Sequence, residues 1–246
     1  MFQLLRIPGT LGSLLLLLPG CIVYAPTSPA VPMVENKGEA EVSGSVQLNG
    51  RLEARGVYSP LHHVLIGAGS SFCPRLSADN YFRVRQVEAL LGGYTTLKKK
   101  LLLSGLAGTG VASTNRKFDQ ILGGSQQYQA RYTTWFGQGG LGWQFDNGSS
   151  ISLGYRLTSV QFRQLRDEAL DLPLQRMSRH EILLNLRHNP GWGAQWQTQT
   201  SVGLSSGRRP GDGADDDPTA FGVQYTQLPT LLVNVGLVWQ PAKRNW

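Results

Sequence analysis

Ser178-Arg179-His180 is the local arrangement closest to nucleophilic chemistry, since residues two apart on a strand face the same way and an imidazole could take a serine proton. No acid placed to orient the ring is evident, and activation of the hydroxyl demands one. Asp212, Asp215, Asp216 and Asp217 could serve acid–base work or hold a divalent ion. They lack a local histidine, and their spacing is not that of an EF-hand loop. His62-His63 offers two metal ligands and would need others from elsewhere. Cys73 has only Arg75 nearby to favour a thiolate. The plainer readings prevail: a solvated loop, a strand-end histidine, a turn histidine pair and an inert thiol. The expectation is no catalytic residue, no metal and no cofactor.

The chemistry that the residues do point to is lipidation. Met1–Gly20 carries one positive charge at Arg6, an apolar core from Leu11 to Leu18 and then small residues, the layout of a secretory signal peptide too short to span a bilayer. Leu18-Pro19-Gly20-Cys21 resembles the lipobox of bacterial lipoproteins, with Leu at minus three, Gly at minus one and Pro19 as a departure at minus two. That resemblance implies a diacylglycerol on the Cys21 thiol and an acyl chain on its new amino group after cleavage. With Cys21 so used, Cys73 has no disulfide partner, because the chain holds 2 Cys.

The elements that must carry these residues are strands. In 246 residues, 41% are hydrophobic, 16% are charged and 30 are Gly, which excludes a disordered chain and a long-helix protein. The net charge of +7 is scattered along the chain, so nucleic-acid binding is not expected. Residues 21–39 contain Pro26, Pro29 and Pro32 and read as an extended tether between lipid and domain. From residue 40 to 246 apolar and polar residues alternate, as in Ile151, Leu153, Tyr155 and Leu157 against Ser152, Gly154, Arg156 and Thr158. The pattern predicts ten strands centred near Val46, Ala54, Ile66, Ala89, Leu106, Gly139, Leu153, Leu184, Thr198 and Val235. Val84 and Val87 fall out of phase, suggesting a bulge between Tyr81 and Tyr94. Short turns near residues 59–62, 95–98, 146–149 and 189–192 alternate with longer polar stretches at 73–80, 113–129, 163–177 and 207–227. Only Asn49-Gly50 is short where a long loop belongs. Such alternation is that of a transmembrane meander.

Strand length then decides which face meets lipid. Residues 100–112, 130–145 and 193–207 are long enough for the nine to eleven or so tilted residues that span a bilayer. The expectation is an all-β, ten-stranded antiparallel up-and-down β-barrel of the transmembrane type. Trp143, Phe145, Trp196 and Trp239 are placed as interfacial aromatics. Arg156, Glu181, Arg187, Gln195, Gln197 and Gln199 are placed in a packed polar lumen, with charges paired across it. Lys98-Lys99-Lys100 falls at a turn, where it is either a solvated charge run or a contact for anionic headgroups.

Cys21, the Pro-bearing spacer, Glu35-Asn36-Lys37-Gly38-Glu39 and Tyr58-Ser59-Pro60-Leu61-His62-His63 together resemble a group of small lipoproteins of Bacteroidetes-type bacteria. The resemblance implies an outer-membrane β-barrel anchored by lipid, with no assigned reaction to carry over. Gly236-Leu237-Val238-Trp239 and the final Trp246 are similar to the terminal strand recognised by barrel-assembly machinery. Expected partners are outer-membrane lipid, lipoprotein-processing enzymes and that machinery. The first alternative is a soluble periplasmic barrel binding an apolar ligand, with its faces inverted. The second is a barrel hydrolase using the acidic cluster or the Ser178–His180 pair.

Overall fold

The computed structural model describes residues 23–74, 80–97, 100–119, 125–146, 148–168, 170–172, 175–208 and 229–241. Its strands are β1 (Ala40–Gln47), β2 (Leu52–Tyr58), β3 (Val64–Cys73), β4 (Tyr81–Leu97), β5 (Leu101–Asp119), β6 (Ser125–Gln144), β7 (Ser150–Asp167), β8 (Leu170–Asp171), β9 (Arg176–His188), β10 (Trp196–Arg208) and β11 (Thr230–Trp239). Each described pairing is antiparallel; β11 pairs with β1, and β6 pairs with β7. Of the eleven strands, the two-residue β8 only extends β7, so ten form a closed ring. The ten expected strand centres all fall within these ten. Closure leaves no lateral edge with free backbone donors, a requirement for strands in lipid.

The ring is apolar outside and polar inside. On β7, Leu153, Tyr155 and Leu157 are 43%, 46% and 45% exposed, while Ser152, Arg156 and Thr158 are at 3%, 0% and 0%. The same polarity holds on β9, where Ile182, Leu184 and Leu186 face out and Glu181, Asn185 and Arg187 face in. This is the arrangement of an outer-membrane-type barrel, and it removes the soluble alternative, which needed the opposite facing. On β4 the outward residues from Leu97 to Val87 are uncharged. Ten tilted residues give a band roughly 25 Å tall.

The tether is not outside the domain. Residues 23–29 and 31–34 are buried, and they run through the lumen. Thr114 Oγ1, in the long-loop half of β5, donates to Val23 O at 2.8 Å; at the short-turn end Met33 N donates to Glu41 Oε2 at 2.9 Å. The ten extended steps from Val23 to Met33 reach about 33–36 Å, enough to cross a hydrocarbon layer of about 30 Å. The composition explains why this strap can be buried without a neighbouring strand. Pro26, Pro29 and Pro32 have no N–H to satisfy. Carbonyls elsewhere on the strap accept from wall side chains: Arg51 to Pro26, Gln138 to Ala30 (2.7 Å), Arg187 to Val31 (3.2 Å) and Gln240 to Met33 (3.1 Å). The glycine-rich wall makes room. A Cβ at Gly142 would lie 2.5 Å from Met33 Sδ, and one at Gly140 would lie 2.9 Å from Val31 Cγ1.

Other expectations are revised by the same filling. No bulge interrupts β4, whose ladders to β3 and β5 are continuous. Val84 points inward because it packs on Ala25 of the strap, while Val87 points outward. The irregularity lies instead between β6 and β7 at Arg131/Tyr132. The polar stretches at 113–129 and 163–177 are largely strand rather than loop, so β5, β6 and β7 reach 19, 20 and 18 residues against 8 and 7 for β1 and β2. One side of the wall is tall and the other low. The low side is closed by Asn49-Gly50: Gly50, at φ +77°, donates its N–H to Gln47 O at 2.9 Å. Cys73 is the last residue of β3, not a loop residue.

An arginine placed mid-band should be far costlier than one near its upper edge. Leu153→Arg is expected to lose about 2–4 kcal/mol and Gln161→Arg about 0–1 kcal/mol. Denaturant unfolding in phospholipid vesicles, followed by heat-modifiable gel mobility, measures both; equal costs would contradict the outward band.

Candidate functional site in the barrel lumen

The lumen is layered. In the long-loop half Val23 and Tyr24 pack on Ala112, Tyr128, Tyr132, Val160 and Phe162. At the short-turn end Met33 and Val34 pack on Leu65, Leu90, Leu102, Leu106 and Phe136. Between these apolar layers lies a charged one, sheltered from water at both ends.

Its centre is Arg156 on β7, with no exposed surface. The guanidinium grips Glu88 of β4 with two nitrogens, Nη2–Oε1 at 2.6 Å and Nη1–Oε2 at 3.1 Å, and its Nε lies 3.5 Å from Glu181 Oε2 of β9. One face rests on the Phe136 ring, 3.5 Å from the centroid. The strap completes the set: Thr27 donates to Glu88 at 2.7 Å, and Tyr24 donates to Glu181 at 3.0 Å. A second bidentate pair, Arg187 with Glu41 (2.9 and 2.9 Å), holds the short-turn end, with Gln240 also donating to Glu41 at 2.8 Å. Arg51 pairs with Glu53 at 2.8 Å. Arg179 donates to Ser205 Oγ at 2.9 Å and lies over the Tyr24 ring. Buried charges are tolerated only when paired and bonded in this way.

Of the lumen residues named from sequence, Arg156, Glu181, Arg187, Gln197 and Gln199 face inward. Arg187 Nε donates to Gln199 at 2.9 Å, and Gln197 donates to Gly148 O at 2.7 Å. Gln195 does not belong with them. It is exposed in the turn before β10, with its amide on Pro241 O at 3.2 Å, because the strand starts one residue later. Glu41, Glu53, Glu88, Arg51 and Arg179 were missed. Their inward phase is legible in the alternation, but phase alone does not show which partner each buried charge meets across the lumen.

The aromatic positions form a group at the short-turn end. Trp143, Phe145, Trp196 and Trp239 are 41%, 46%, 38% and 37% exposed, and Trp196 sits directly opposite Trp239 with rings 6.1 Å apart. Lys100 pairs with Asp146 at 2.8 Å; Lys98 and Lys99 lie outside the described residues. So do Cys21, Asp212, Asp215, Asp216 and Asp217.

The reactive candidates are not brought together. Ser178 Oγ donates to Arg208 O at 3.3 Å, while His180 Nδ1 bonds the Tyr155 hydroxyl at 2.7 Å. His63, at φ 64°, turns its Nδ1 to Tyr94 O at 3.0 Å. Among the described residues no three of His, Cys, Asp and Glu gather as metal ligands. Sequence reading missed one Ser–His contact, Ser149 Oγ to His188 Nδ1 at 3.3 Å, exposed in the 145–149 turn. The lumen cavity beside the strap, lined by Thr27, Glu41, Arg55, Glu88 and Arg187, measures about 40 Å³. That is room for a few waters and not for an organic ligand.

Removing one member of the central cluster should be worse than removing two. Arg156→Met leaves Glu181 buried without its ion-pair partner and Glu88 with Arg55 alone, at 3.9 Å, an expected loss of about 3–5 kcal/mol. Adding Glu88→Gln should recover part of that loss. Denaturant unfolding of the barrel in micelles gives the comparison.

No protein-family model matches the chain, and neither does any curated protein. Among solved structures it is similar to the beta domain of the Bordetella autotransporter BrkA, at 12% identity over 82% of this chain and 97% of that chain, with a TM-score of 0.38. It is also similar to the Ralstonia pickettii toluene transporter TbuX, at 12% identity over 86% and 90%, with a TM-score of 0.30. Likeness at this level says nothing of activity. The outer-membrane-type barrel fold stands on this chain's own ring of strand pairings and its apolar outer face.

Proposed function

We propose that the chain is a lipid-anchored outer-membrane β-barrel with a structural, surface or interaction role, closed to solutes and without a reaction of its own. The observation that carries this reading is the occupied lumen. A strap held by buried bonds from Glu41, Arg51, Glu88, Gln138, Glu181 and Arg187 fills the space a solute or substrate would need. Lipidation at Cys21 rests on the Leu18-Pro19-Gly20-Cys21 pattern. Val23, two residues later, stands in the long-loop half, which favours insertion of that lipid into the leaflet on the long-loop side. In this reading lipoprotein-processing enzymes and barrel-assembly machinery act on the chain in turn, and the strap is enclosed as the ring closes. The hydrolase alternative has less support, because Ser178 and His180 bond different partners.

Palmitate labelling of the full chain tests the anchor, and extraction tests the barrel. Cys21→Ser should abolish the label, yet the protein should stay in the membrane through urea washing and keep its heat-modifiable mobility. Release by urea would overturn the bilayer-spanning reading; persistence of the label would overturn lipidation at Cys21. In planar bilayers the wild-type barrel should give no conductance steps, whereas Gly142→Phe, which drives a ring into Met33 of the strap, should produce them.

A further inference from the structure

The tall side of the wall carries a cluster of arginines on its outer face, just above the apolar band. Arg85 of β4 faces Ser113 of β5, and Ser113 faces Arg131 of β6; all three point outward. The small serine leaves a trough between two guanidinium groups whose strands are two ladder spacings apart, about 9.6 Å. The irregularity between β6 and β7 adds a third. Pairing passes from Arg131↔Gln164 to Tyr132↔Phe162, so Arg163 is the extra residue, and its side chain is also exposed. Bulges of this kind re-aim a side chain. Here the result is a third cation beside Arg131.

These arginines border a hollow of about 360 Å³ whose lower lining is Val87 and Val111, the top of the apolar band. A second hollow of about 420 Å³ shares Arg85 and Arg131 and adds Arg83. No carboxylate lines either hollow, and no ion pair engages Arg83, Arg85, Arg131 or Arg163 among the described residues. Elsewhere the molecule pairs its arginines closely, as at Arg156 and Arg187, and Arg166, which also lines the second hollow, pairs with Asp171. Four neighbouring guanidinium groups without acids repel one another and call for anions from outside. Their planar forks match phosphate oxygens.

We propose that this hollow binds a phosphorylated glycolipid of the outer leaflet. Arg85, Arg131 and Arg163 hold its phosphates, and the first carbons of its acyl chains lie on Val87 and Val111. The inference rests on the bilayer-spanning reading, which sets the cluster at headgroup level on the long-loop side. The separation of Arg85 from Arg131 favours a headgroup with two phosphates carried on a disaccharide over a phospholipid with one.

The test is binding by the full-length barrel in nonionic detergent, followed by native mass spectrometry. The probes are bisphosphorylated lipid A, dephosphorylated lipid A and phosphatidylglycerol. Wild type should bind the bisphosphorylated form at least tenfold more tightly than the other two. Arg85→Ser, Arg131→Ser and Arg163→Ser combined should weaken it tenfold or more, whereas Arg176→Ser with Arg208→Ser, on β9 and β10, should leave it unchanged. If the triple variant does not fold, Arg85→Ser and Arg163→Ser singly should each weaken binding about threefold. Undiminished binding by the folded arginine variants overturns the site, and equal affinity for phosphatidylglycerol overturns the choice of a glycolipid. Heat-modifiable mobility of the same wild-type sample reports separately on the barrel, so a failed lipid site is distinguishable from a failed membrane reading.

Discussion

Everything inside this barrel is arranged around the Arg156 guanidinium. It lies where no water reaches, bonded to Glu88 and 3.5 Å from Glu181, and those two carboxylates in turn receive hydroxyls from Thr27 and Tyr24 of the strap. One cation therefore links β4, β7 and β9 with a segment that precedes all of them in sequence. A charge buried this deeply is tolerable only if every partner is present. The network consequently ties closure of the ring to seating of the strap, since the wall carboxylates take hydroxyls from the strap and the strap carbonyls take donors from the wall.

The strap also accounts for features of the wall that would otherwise look incidental. Glycines at 140 and 142 stand where Val31 and Met33 pass too closely for a side chain. Apolar residues turn inward where the strap presents Val23, Ala25, Met33 and Val34, so the lumen has apolar layers above and below its charges. The difference between the tall wall of β4 to β7 and the low wall of β1 and β2 has a consequence outside as well. The long strands carry Arg85, Arg131 and Arg163 beyond the apolar band.

Much of this was legible from residue order. Period-two alternation located the ten wall strands, because one side of each strand meets an apolar phase and the other does not. Arg156, Glu181 and Arg187 were read as paired lumen groups from the charge-free opposite face. Sequence failed where a residue's surroundings are set by a distant segment. Val84 looked out of phase because an apolar inward residue makes sense only against Ala25. Gln195 fell in the lumen set because alternation does not mark the residue at which a strand begins.

The sequence by itself determined the strands, their order along the chain and which side of each is apolar, because those depend on neighbours two residues apart. Only the tertiary structure decided that the ring closes between β1 and β11, that residues 23–34 fill it and that Arg163 joins Arg85 and Arg131 outside. These rest on contacts between segments tens to more than a hundred residues apart. No local periodicity encodes them, and for the strap the proline pattern that fits an exposed spacer fits a buried one equally well, since in both cases the backbone has no neighbouring strand.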